Sequence, residues 1–346
     1  MEYDVLIIGA GPAGSITGWN IAREQLSVLM IDKKKEVGVP VQCAEYIPAL
    51  LSKEITIPGD AIANEIKGSK IYFPDNSSYK FAAPGYILHR AIFDKYLTLN
   101  AVKAGACLWL KTKFLGIENG RILLSRNGRL IEVKSKIIVG ADGPNSRVGR
   151  LINSRYKDYV TAYQQELPLV EKMEFTEVYF DNKFFGGYAW LFPKKYSANV
   201  GVGVKTGKKI KVKELFQQFV ERLVKEKKII NTPLKTTTGL IPVGGPIDTV
   251  RNNILLVGDA AGQTHPITGA GIPQAIICGK FAARSITKAL RKKDLIVLNT
   301  YEEEWKNLYL EELNRAIKKR DLMENNWNNI RNILKECWVS FPEYYG

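Results

Sequence analysis

The sequence has 346 residues, more than one hydrophobic core usually serves, so its length predicts two interleaved domains. Hydrophobic residues make up 45% of it, and no apolar run reaches the roughly 18 residues of a membrane-spanning helix. The 50 basic and 35 acidic residues give a net charge of +15, which excludes an acidic protein. That charge indicates either a plain solvated surface or contact with nucleic acid, anionic lipid or a phosphorylated substrate.

Cysteine and histidine usage argues against metal and disulfide chemistry. The four cysteines form no CxxC pair and only two histidines occur, so we expect neither a metal site nor a disulfide framework.

The N-terminus lacks a basic region followed by an apolar core and a cleavage site, which predicts a cytoplasmic protein. Lysine pairs such as Lys208 and Lys209 are dispersed without a nucleic-acid-reading motif, so no nucleic acid partner is expected.

The chain opens with a predicted strand–helix–strand unit. Residues 3–8 are aliphatic and β-branched, residues 15–25 are typical of a helix, and residues 27–31 predict a second buried strand. The later predicted elements are a helix at 90–104, strands at 121–125 and 136–139, antiparallel strands within 156–203, an amphipathic helix at 211–228, a strand at 253–257, a helix at 273–290 and a helical tail at 301–338.

Glycines concentrate where the first predicted strand meets the first helix. The run Gly9, Ala10, Gly11, Pro12, Ala13 and Gly14 follows a strand and opens a helix, so a pyrophosphate is expected at the helix N-terminus. Asp32 ends the second strand about 20 residues further on, the position of a carboxylate that binds an adenosine ribose. The sequence therefore predicts a dinucleotide-binding fold.

Two further carboxylates follow predicted strand ends. Asp142 lies in the turn after residues 136–139, a pattern that a plain β-turn would also explain. Asp259 follows residues 254–258 and is placed to accept hydrogen bonds from a polyhydroxylated chain. The glycines of residues 266–272 would let a helix N-terminus approach an electron-rich ring.

In order and spacing these three blocks resemble the FAD-binding fold of the glutathione-reductase-like class, in the branch of aromatic hydroxylases, halogenases and geranylgeranyl reductases. The resemblance implies an α/β Rossmann-type fold with an interleaved antiparallel-sheet substrate domain and a helical C-terminus. It also implies FAD as the cofactor, bound by Gly9, Gly11, Pro12, Ala13, Gly14, Asp32, Lys33, Cys43, Ala44, Arg90, Asp142, Asp259, Gly269, Ala270, Gly271 and Ile272.

Within that branch, residues 38–45, 187–194, 199–203 and 239–246 are similar to the geranylgeranyl reductase family. The likeness spans roughly residues 3 to 290. Membership implies saturation of isoprenoid double bonds, in archaea mostly on the lipid chains of ether phospholipids or on quinone tails. It leaves the electron donor open between NAD(P)H and a small electron-transfer protein. With a phospholipid substrate, the positive charge would favour a peripheral contact with the inner face of the membrane.

Two features depart from the family pattern. Tyr46 stands where family members commonly have glycine, and their chains often continue beyond the end of this one. The ring of Tyr46 either narrows a pocket beside the flavin or packs on its own domain.

The residues proposed for catalysis are Cys43, Tyr188 and Trp190. Alkene reduction needs a hydride from reduced flavin and a proton from a nearby acid, with the apolar chain held over the ring. The Cys43 thiol is a candidate acid, although a free cysteine is commonly a small buried hydrophobe. Tyr188 and Trp190 are candidate walls of an apolar tunnel, within an aromatic segment that is otherwise expected to be core.

The predicted domain division assigns residues 1–70, 86–155 and 251–292 to the FAD domain, 71–85 and 156–250 to the substrate domain, and 293–346 to a helical segment. The leading functional prediction is a flavin-dependent reductase of geranylgeranyl or other polyprenyl chains. A flavin monooxygenase or halogenase is the alternative, and a lipid-binding carrier or sensor flavoprotein is a third interpretation.

Overall fold

The computed structural model of the chain describes residues 1–154, 156, 158–207 and 211–346, and these form two eight-stranded sheets. Arg155, at a predicted domain boundary, and Lys208 and Lys209 lie outside the described residues. The strands are β1 (Glu2–Ile8), β2 (Val28–Ile31), β3 (Tyr46–Pro48), β4 (Ile62–Tyr72), β5 (Ser78–Leu88), β6 (Cys107–Trp109), β7 (Thr112–Glu118), β8 (Arg121–Arg126), β9 (Arg129–Gly140), β10 (Tyr159–Pro168), β11 (Phe175–Tyr179), β12 (Ala189–Pro193), β13 (Ser197–Lys205), β14 (Lys235–Pro242), β15 (Val250–Arg251) and β16 (Ile254–Leu256). The helices are α1 (Pro12–Ala22), α2 (Arg90–Lys103), α3 (Arg147–Leu151), α4 (Val212–Lys225), α5 (Ile272–Lys292), α6 (Asn299–Asn325) and α7 (Ile330–Cys337).

The first sheet has a parallel centre in the order β16, β9, β1, β2 and β6. Its central strands are buried on both faces, which explains why they consist of continuous aliphatic residues such as Val5 to Ile8. On one face, α1 and α5 pack over a core that includes Ile7, Met30 and Val139. The Rossmann-type fold expected from the sequence is confirmed.

Helix α1 begins at Pro12, three residues before the predicted start, and ends at Ala22. Proline suits the first turn of a helix because its missing N–H would have no partner there. At the other end, Gln25 adopts a left-handed backbone with φ of 60°. The predicted extension of this helix to residue 25 is therefore wrong.

The second sheet has the order β14, β10, β13, β12, β11, β4, β5 and β3. It takes in more of the early chain than the predicted 71–85 segment, because the hairpin of β4 and β5 runs from residue 62 to residue 88 and β3 pairs with β5. The antiparallel pattern within 156–203 holds for β10, β12 and β13, but β11 also pairs in parallel with β4. Division of the chain into domains at the stated boundaries stays a prediction.

The predicted helical character of the C-terminal tail is confirmed, and the tail consists of two helices with a break between Asn325 and Ile330. Their apolar residues pack back on the second sheet, where Met323 and Leu334 share a core with Ile71 and Val178. Within the described residues, no helix combines the length and apolar character needed to cross a membrane.

Candidate functional site: a dinucleotide cradle beside an apolar cleft

The glycine turn between β1 and α1 brings backbone segments into close approach. A Cβ on Gly9, whose φ is +108°, would lie 2.2 Å from the carbonyl oxygen of Ala141, and one on Gly14 would lie 1.9 Å from that of Gly9. A Cβ on Gly11, by contrast, would meet nothing within 4 Å. Gly11 caps α1 without a side-chain hydrogen bond, so the helix N-terminus faces open space suited to an anion.

Asp32 lies at the carboxyl end of β2, directly beside this turn. Its Oδ2 accepts a hydrogen bond from the Ala10 N–H at 3.0 Å, and its Oδ1 accepts one from the Lys34 N–H at 2.9 Å. The carboxylate therefore stabilises the glycine turn through its hydrogen bond with Ala10. The neighbouring Lys33 is exposed.

The segment that carries Asp259 packs against the glycine turn, as the resemblance implies. A Cβ on Gly258 would lie 2.9 Å from the Cβ of Ala13, which places the end of this segment against the first turn of α1. Asp259 is next in the chain; burial raises the pKa of its carboxyl group, although the Thr264 hydroxyl donates to its Oδ1 at 2.9 Å. The segment Gly269 to Ile272 leads into α5, whose N-cap Gly271 forms no side-chain cap.

Arg90 and Cys43 lie on the same side of the site. The Arg90 guanidinium forms a buried fork with Asp94, with its Nε 2.9 Å from Oδ1 and an Nη 3.0 Å from Oδ2. Burial raises the pKa of the Cys43 thiol, and the nearby Arg90 charge offsets only part of that rise. The Arg90 charge also acts on the Asp259 carboxyl, so these three side chains share one region.

Asp142 has a local structural role. Its carboxylate accepts hydrogen bonds from the Ser146 hydroxyl at 2.5 Å and from the Arg147 N–H at 2.7 Å, so it caps the turn before the short helix α3. Burial raises the pKa of this carboxyl group. A direct part for Asp142 in cofactor binding stays a prediction.

Behind Cys43 lies a buried ionic network that the sequence reasoning missed. Glu45 is 3% exposed, and its Oε2 lies 2.6 Å from the Lys194 Nζ and 2.7 Å from the Asn199 Nδ2. Its Oε1 accepts a hydrogen bond from the Arg90 N–H at 2.9 Å. The only sequence signal was the presence of Glu45 and Lys194 within two of the family-like segments.

Tyr188 and Trp190 connect the second sheet to the cofactor segments. The Tyr188 hydroxyl donates to the Thr268 carbonyl at 2.6 Å, and the Trp190 indole N–H donates to the Gln164 Oε1 at 2.9 Å. Gln164 in turn donates to the Cys43 carbonyl at 3.0 Å. Tyr188 thus contacts the residue next to Gly269, and Trp190 is linked to Cys43 through Gln164.

These two aromatics also line a narrow apolar cleft that opens to solvent. Its other walls come from β10, β13 and β14 and from the turn that ends at Gly269, and include Val160, Gly203, Ile241, Val243 and Ile267. The cleft therefore lies between the second sheet and the segment that leads into α5.

Side chains from outside the predicted set hold the turn at residues 265–270. The His265 Nδ1 accepts hydrogen bonds from the N–H groups of Ile267 and Thr268, each at 3.3 Å. Arg320 of α6 is 4% exposed and donates to the Pro266 carbonyl at 3.0 Å and to the Gly186 carbonyl at 2.8 Å. A C-terminal helix thus ties together two loops that line the cleft.

Tyr46 packs on the second sheet. Its hydroxyl donates to the Ala83 carbonyl at 3.1 Å, and its ring meets Phe192 edge-on with centroids 6.2 Å apart. Burial raises the pKa of Tyr46 to about 12. These contacts favour the packing interpretation over a ring that narrows the flavin pocket.

The glycine cradle, the partly buried Asp259 and the N-termini of α1 and α5, which lack side-chain caps, fit an extended dinucleotide cofactor on a Rossmann-type fold. A family model described as the geranylgeranyl reductase catalytic domain matches residues 158–240. Models of an NAD(P)-binding Rossmann-like domain and of lycopene cyclase protein match residues 7–51 and 205–324.

Whole-chain comparisons define the family. The digeranylgeranylglycerophospholipid reductase of Methanocaldococcus jannaschii is 36% identical over 340 residues, covering 93% of this chain and 87% of that protein. Digeranylgeranylglycerophospholipid reductase 2 of Methanococcoides burtonii is 38% identical over 348 residues, covering 94% of this chain and 85% of that protein. The chain belongs to the geranylgeranyl reductase family, and the predicted family is confirmed.

Solved structures agree with this assignment. A geranylgeranyl bacteriochlorophyll reductase-like protein of Thermoplasma acidophilum superposes with a TM-score of 0.86 at 30% identity, covering 96% of this chain and 91% of that one. A flavin-dependent brominase superposes with a TM-score of 0.77 at 19% identity, covering 100% of this chain and 92% of that one. At that identity the brominase shares the fold alone.

Proposed function

We propose that this chain saturates the isolated carbon–carbon double bonds of geranylgeranyl chains on a glycerophospholipid. The observation that carries the proposal is the apolar cleft between the second sheet and the turn ending at Gly269. Such a cleft suits a hydrocarbon chain, which offers no polar group for recognition beyond its headgroup. The likeness to digeranylgeranylglycerophospholipid reductases along nearly the whole chain supports the same substrate class.

When bound, the reduced flavin supplies the hydride that the alkene requires. Gly9, Gly11 and Gly14 would leave room for its pyrophosphate, with Asp32 near the adenosine ribose and Asp259 near the ribityl chain. The segment from Gly269 to Ile272 would lie beside the isoalloxazine.

Cys43 is the proposed proton donor. Burial raises the pKa of its thiol, so the thiol is protonated at neutral pH and has a proton to donate. The Gln164 side chain donates to the Cys43 backbone carbonyl and accepts from the Trp190 indole, which holds the Cys43 backbone in place. Tyr188 and Trp190 are proposed to form the wall that keeps the hydrocarbon chain in place.

Anaerobic turnover tests the reaction class. The purified, FAD-loaded protein is reduced with dithionite and mixed with a detergent-dispersed digeranylgeranyl phospholipid, and the product is analysed by mass spectrometry. We expect two hydrogens added per double bond, together with reoxidation of the flavin. A requirement for oxygen would instead indicate a monooxygenase or halogenase, and an unchanged reduced-flavin spectrum would indicate a carrier.

A cysteine pair tests the proton donor. Cys43→Ala should retain FAD but reduce substrate at least about 100-fold more slowly, in the range of general-acid contributions. Cys107→Ala is the matched control, because Cys107 is also partly buried but lies on β6 of the first sheet. Reduction by Cys43→Ala at the native rate would exclude the thiol as donor.

The electron donor and the site of action complete the proposal. NAD(P)H or a small electron-transfer protein would regenerate the reduced flavin, and anaerobic mixing with each donor followed at the flavin absorbance distinguishes them. We propose that the protein works on the cytoplasmic side in peripheral contact with the membrane, since its substrate is a lipid and its net charge is +15.

A further inference from the structure

Four exposed apolar side chains lie close together at one end of the second sheet. Val170, Tyr196, Ile230 and Leu234 are 49%, 68%, 52% and 61% exposed. Large apolar side chains exposed as a group, and not singly, commonly mark an interaction surface.

Backbone hydrogen bonds bring the segments that carry these side chains together. The Leu169 N–H donates to the Tyr196 carbonyl at 3.0 Å, and the Val170 N–H donates to the Lys228 carbonyl at 3.0 Å. The Ile230 N–H donates to the Pro168 carbonyl at 2.9 Å. The Leu234 N–H donates to the Glu166 carbonyl at 2.9 Å. The segments that carry the four side chains therefore meet at one end of the second sheet and form what is here termed the sheet-end surface, residues 167–173, 194–197 and 225–235.

The sheet-end surface is strongly basic. Its 22 residues contain seven lysines and two glutamates. Lys194 and Lys228 are paired with Glu45 and Glu177 outside this surface, so the other five lysines and the two glutamates leave a net charge of +3. Lys172 and Lys195 place their ammonium groups 5.6 Å and 5.4 Å from the centre of the Tyr196 ring. One of the two glutamates, Glu226, is already paired with Arg222 and Lys228.

We infer that the sheet-end surface docks the protein on an anionic lipid bilayer. Exposed aliphatic and aromatic side chains surrounded by lysines complement a membrane interface, where apolar groups enter the acyl boundary and ammonium groups meet lipid phosphates. Tyr196 is an amphipathic ring suited to headgroup depth. This inference rests on the proposed lipid substrate and names the surface that would meet it.

The surface borders the ionic network behind Cys43, whereas the apolar cleft lies toward the other end of β10, at Val160. Lys194, at its inner edge, contacts Glu45 at 2.6 Å, and Glu45 is two residues from Cys43. A bilayer bound at this end of the sheet therefore lies next to the segment that carries the proposed proton donor.

Flotation with vesicles tests the inference. The FAD-loaded protein should float with equimolar phosphatidylglycerol and phosphatidylcholine vesicles, remain unbound with pure phosphatidylcholine, and be released at about 1 M salt, where the Debye length is about 3 Å. Lys172→Glu with Lys195→Glu should weaken binding at least about twentyfold, since each interfacial lysine contributes about fivefold. Tyr196→Ser with Ile230→Ser and Leu234→Ser should also weaken it.

A matched control removes exposed apolar side chains elsewhere. Leu130→Ser with Ile296→Ser changes residues that are 64% and 76% exposed, and should float like the wild type. Equal flotation of the sheet-end variants and the wild type would overturn the inference. It would also be overturned if the apolar variant changed only the oligomeric mass in solution, because the surface would then be an interface between two copies.

Activity on detergent-dispersed lipid separates this inference from the proposed function. The sheet-end variants should keep wild-type activity there and lose it on vesicle-borne lipid. A wild-type protein that floats but reduces no dispersed lipid would contradict the proposed function and leave the docking surface standing.

Discussion

The most informative perturbation is Glu45→Gln, which removes one charge from the buried network and keeps the shape of the side chain. Glu45 accepts three hydrogen bonds, from the Lys194 ammonium, the Asn199 amide and the Arg90 N–H. Its backbone is left-handed, with φ of 74°, a conformation that a non-glycine residue adopts only when its surroundings hold it there. A glutamine has only one accepting oxygen, so at least one of the three buried donors must lose its partner.

The cost follows from these contacts. An unsatisfied buried donor costs about 1–3 kcal/mol, and a hydrogen bond to a charged group contributes about 1.5–3 kcal/mol. Lys194 keeps Glu166 at 3.3 Å, which limits the loss, so we expect a destabilisation of about 2–4 kcal/mol. With an unfolding entropy of about 2.1 cal/mol/K per residue, the melting temperature of this chain should fall by about 3–6 °C.

Differential scanning calorimetry of the FAD-loaded protein measures this shift. Glu171→Gln, at an exposed glutamate, is the control and should melt within about 1 °C of the wild type. In a double-mutant cycle, Glu45→Gln with Lys194→Met should cost less than the sum of the two single variants, because they share one interaction. Additive costs, or an unchanged melting temperature for Glu45→Gln, would refute the account of this network.

Three further changes probe the cradle, the cleft and the thiol. Gly14→Ala should abolish FAD binding, because the added Cβ would lie 1.9 Å from a backbone oxygen. Flavin fluorescence measures the binding. Gly59→Ala is the control and should bind FAD normally, because a Cβ there would meet nothing within 4 Å. Tyr188→Phe should lower stability by about 1 kcal/mol in denaturant titrations through loss of the bond to Thr268, and an unchanged midpoint would contradict that role. Burial raises the pKa of the Cys43 thiol, so turnover should stay level through about pH 8.5, the ordinary thiol pKa, and fall only above it. A fall in turnover centred at or below that pH would contradict the assignment of Cys43 as proton donor.

The sequence was sufficient for the fold class and family, because the determinants are local. A strand, a glycine turn and a helix are adjacent in the chain, and their spacing to Asp32 is fixed by one strand–helix–strand unit. Buried parallel strands such as β1 and β9 also consist of continuous aliphatic residues, so the centre of the first sheet was readable.

The missed features depend on long-range pairing. Strand β4 reads as IANEIKGSKIY, in which charged residues and a glycine interrupt the apolar pattern, so it was not recognised as part of the second sheet. Its neighbours β5 and β11 supply the pairing that makes it a strand, and β11 lies about 100 residues further along the chain.

The polar contacts of the candidate site also depend on residues that are far apart in the sequence. Glu45 and Lys194 are about 150 residues apart, and nothing in the local sequence of either shows that their charges meet. Arg320 lies in a helix that charge patterning alone would assign to solvent, yet it is buried against two loop carbonyls. Such polar groups are identified only when the fold brings their partners together.

The contacts of Arg320 indicate that the C-terminal helices do more than cover the second sheet. Burial lowers the pKa of its guanidinium, but Glu324, one turn further along α6, lies 2.8 Å away and supports the charged form. Its two other hydrogen bonds go to the carbonyls of Pro266 and Gly186. These residues lie in two different loops, one leading from the first sheet and one within the second, and both loops border the apolar cleft. Arg320 therefore connects α6 to both loops, so the C-terminal helices hold two borders of the cleft in place in addition to covering the second sheet.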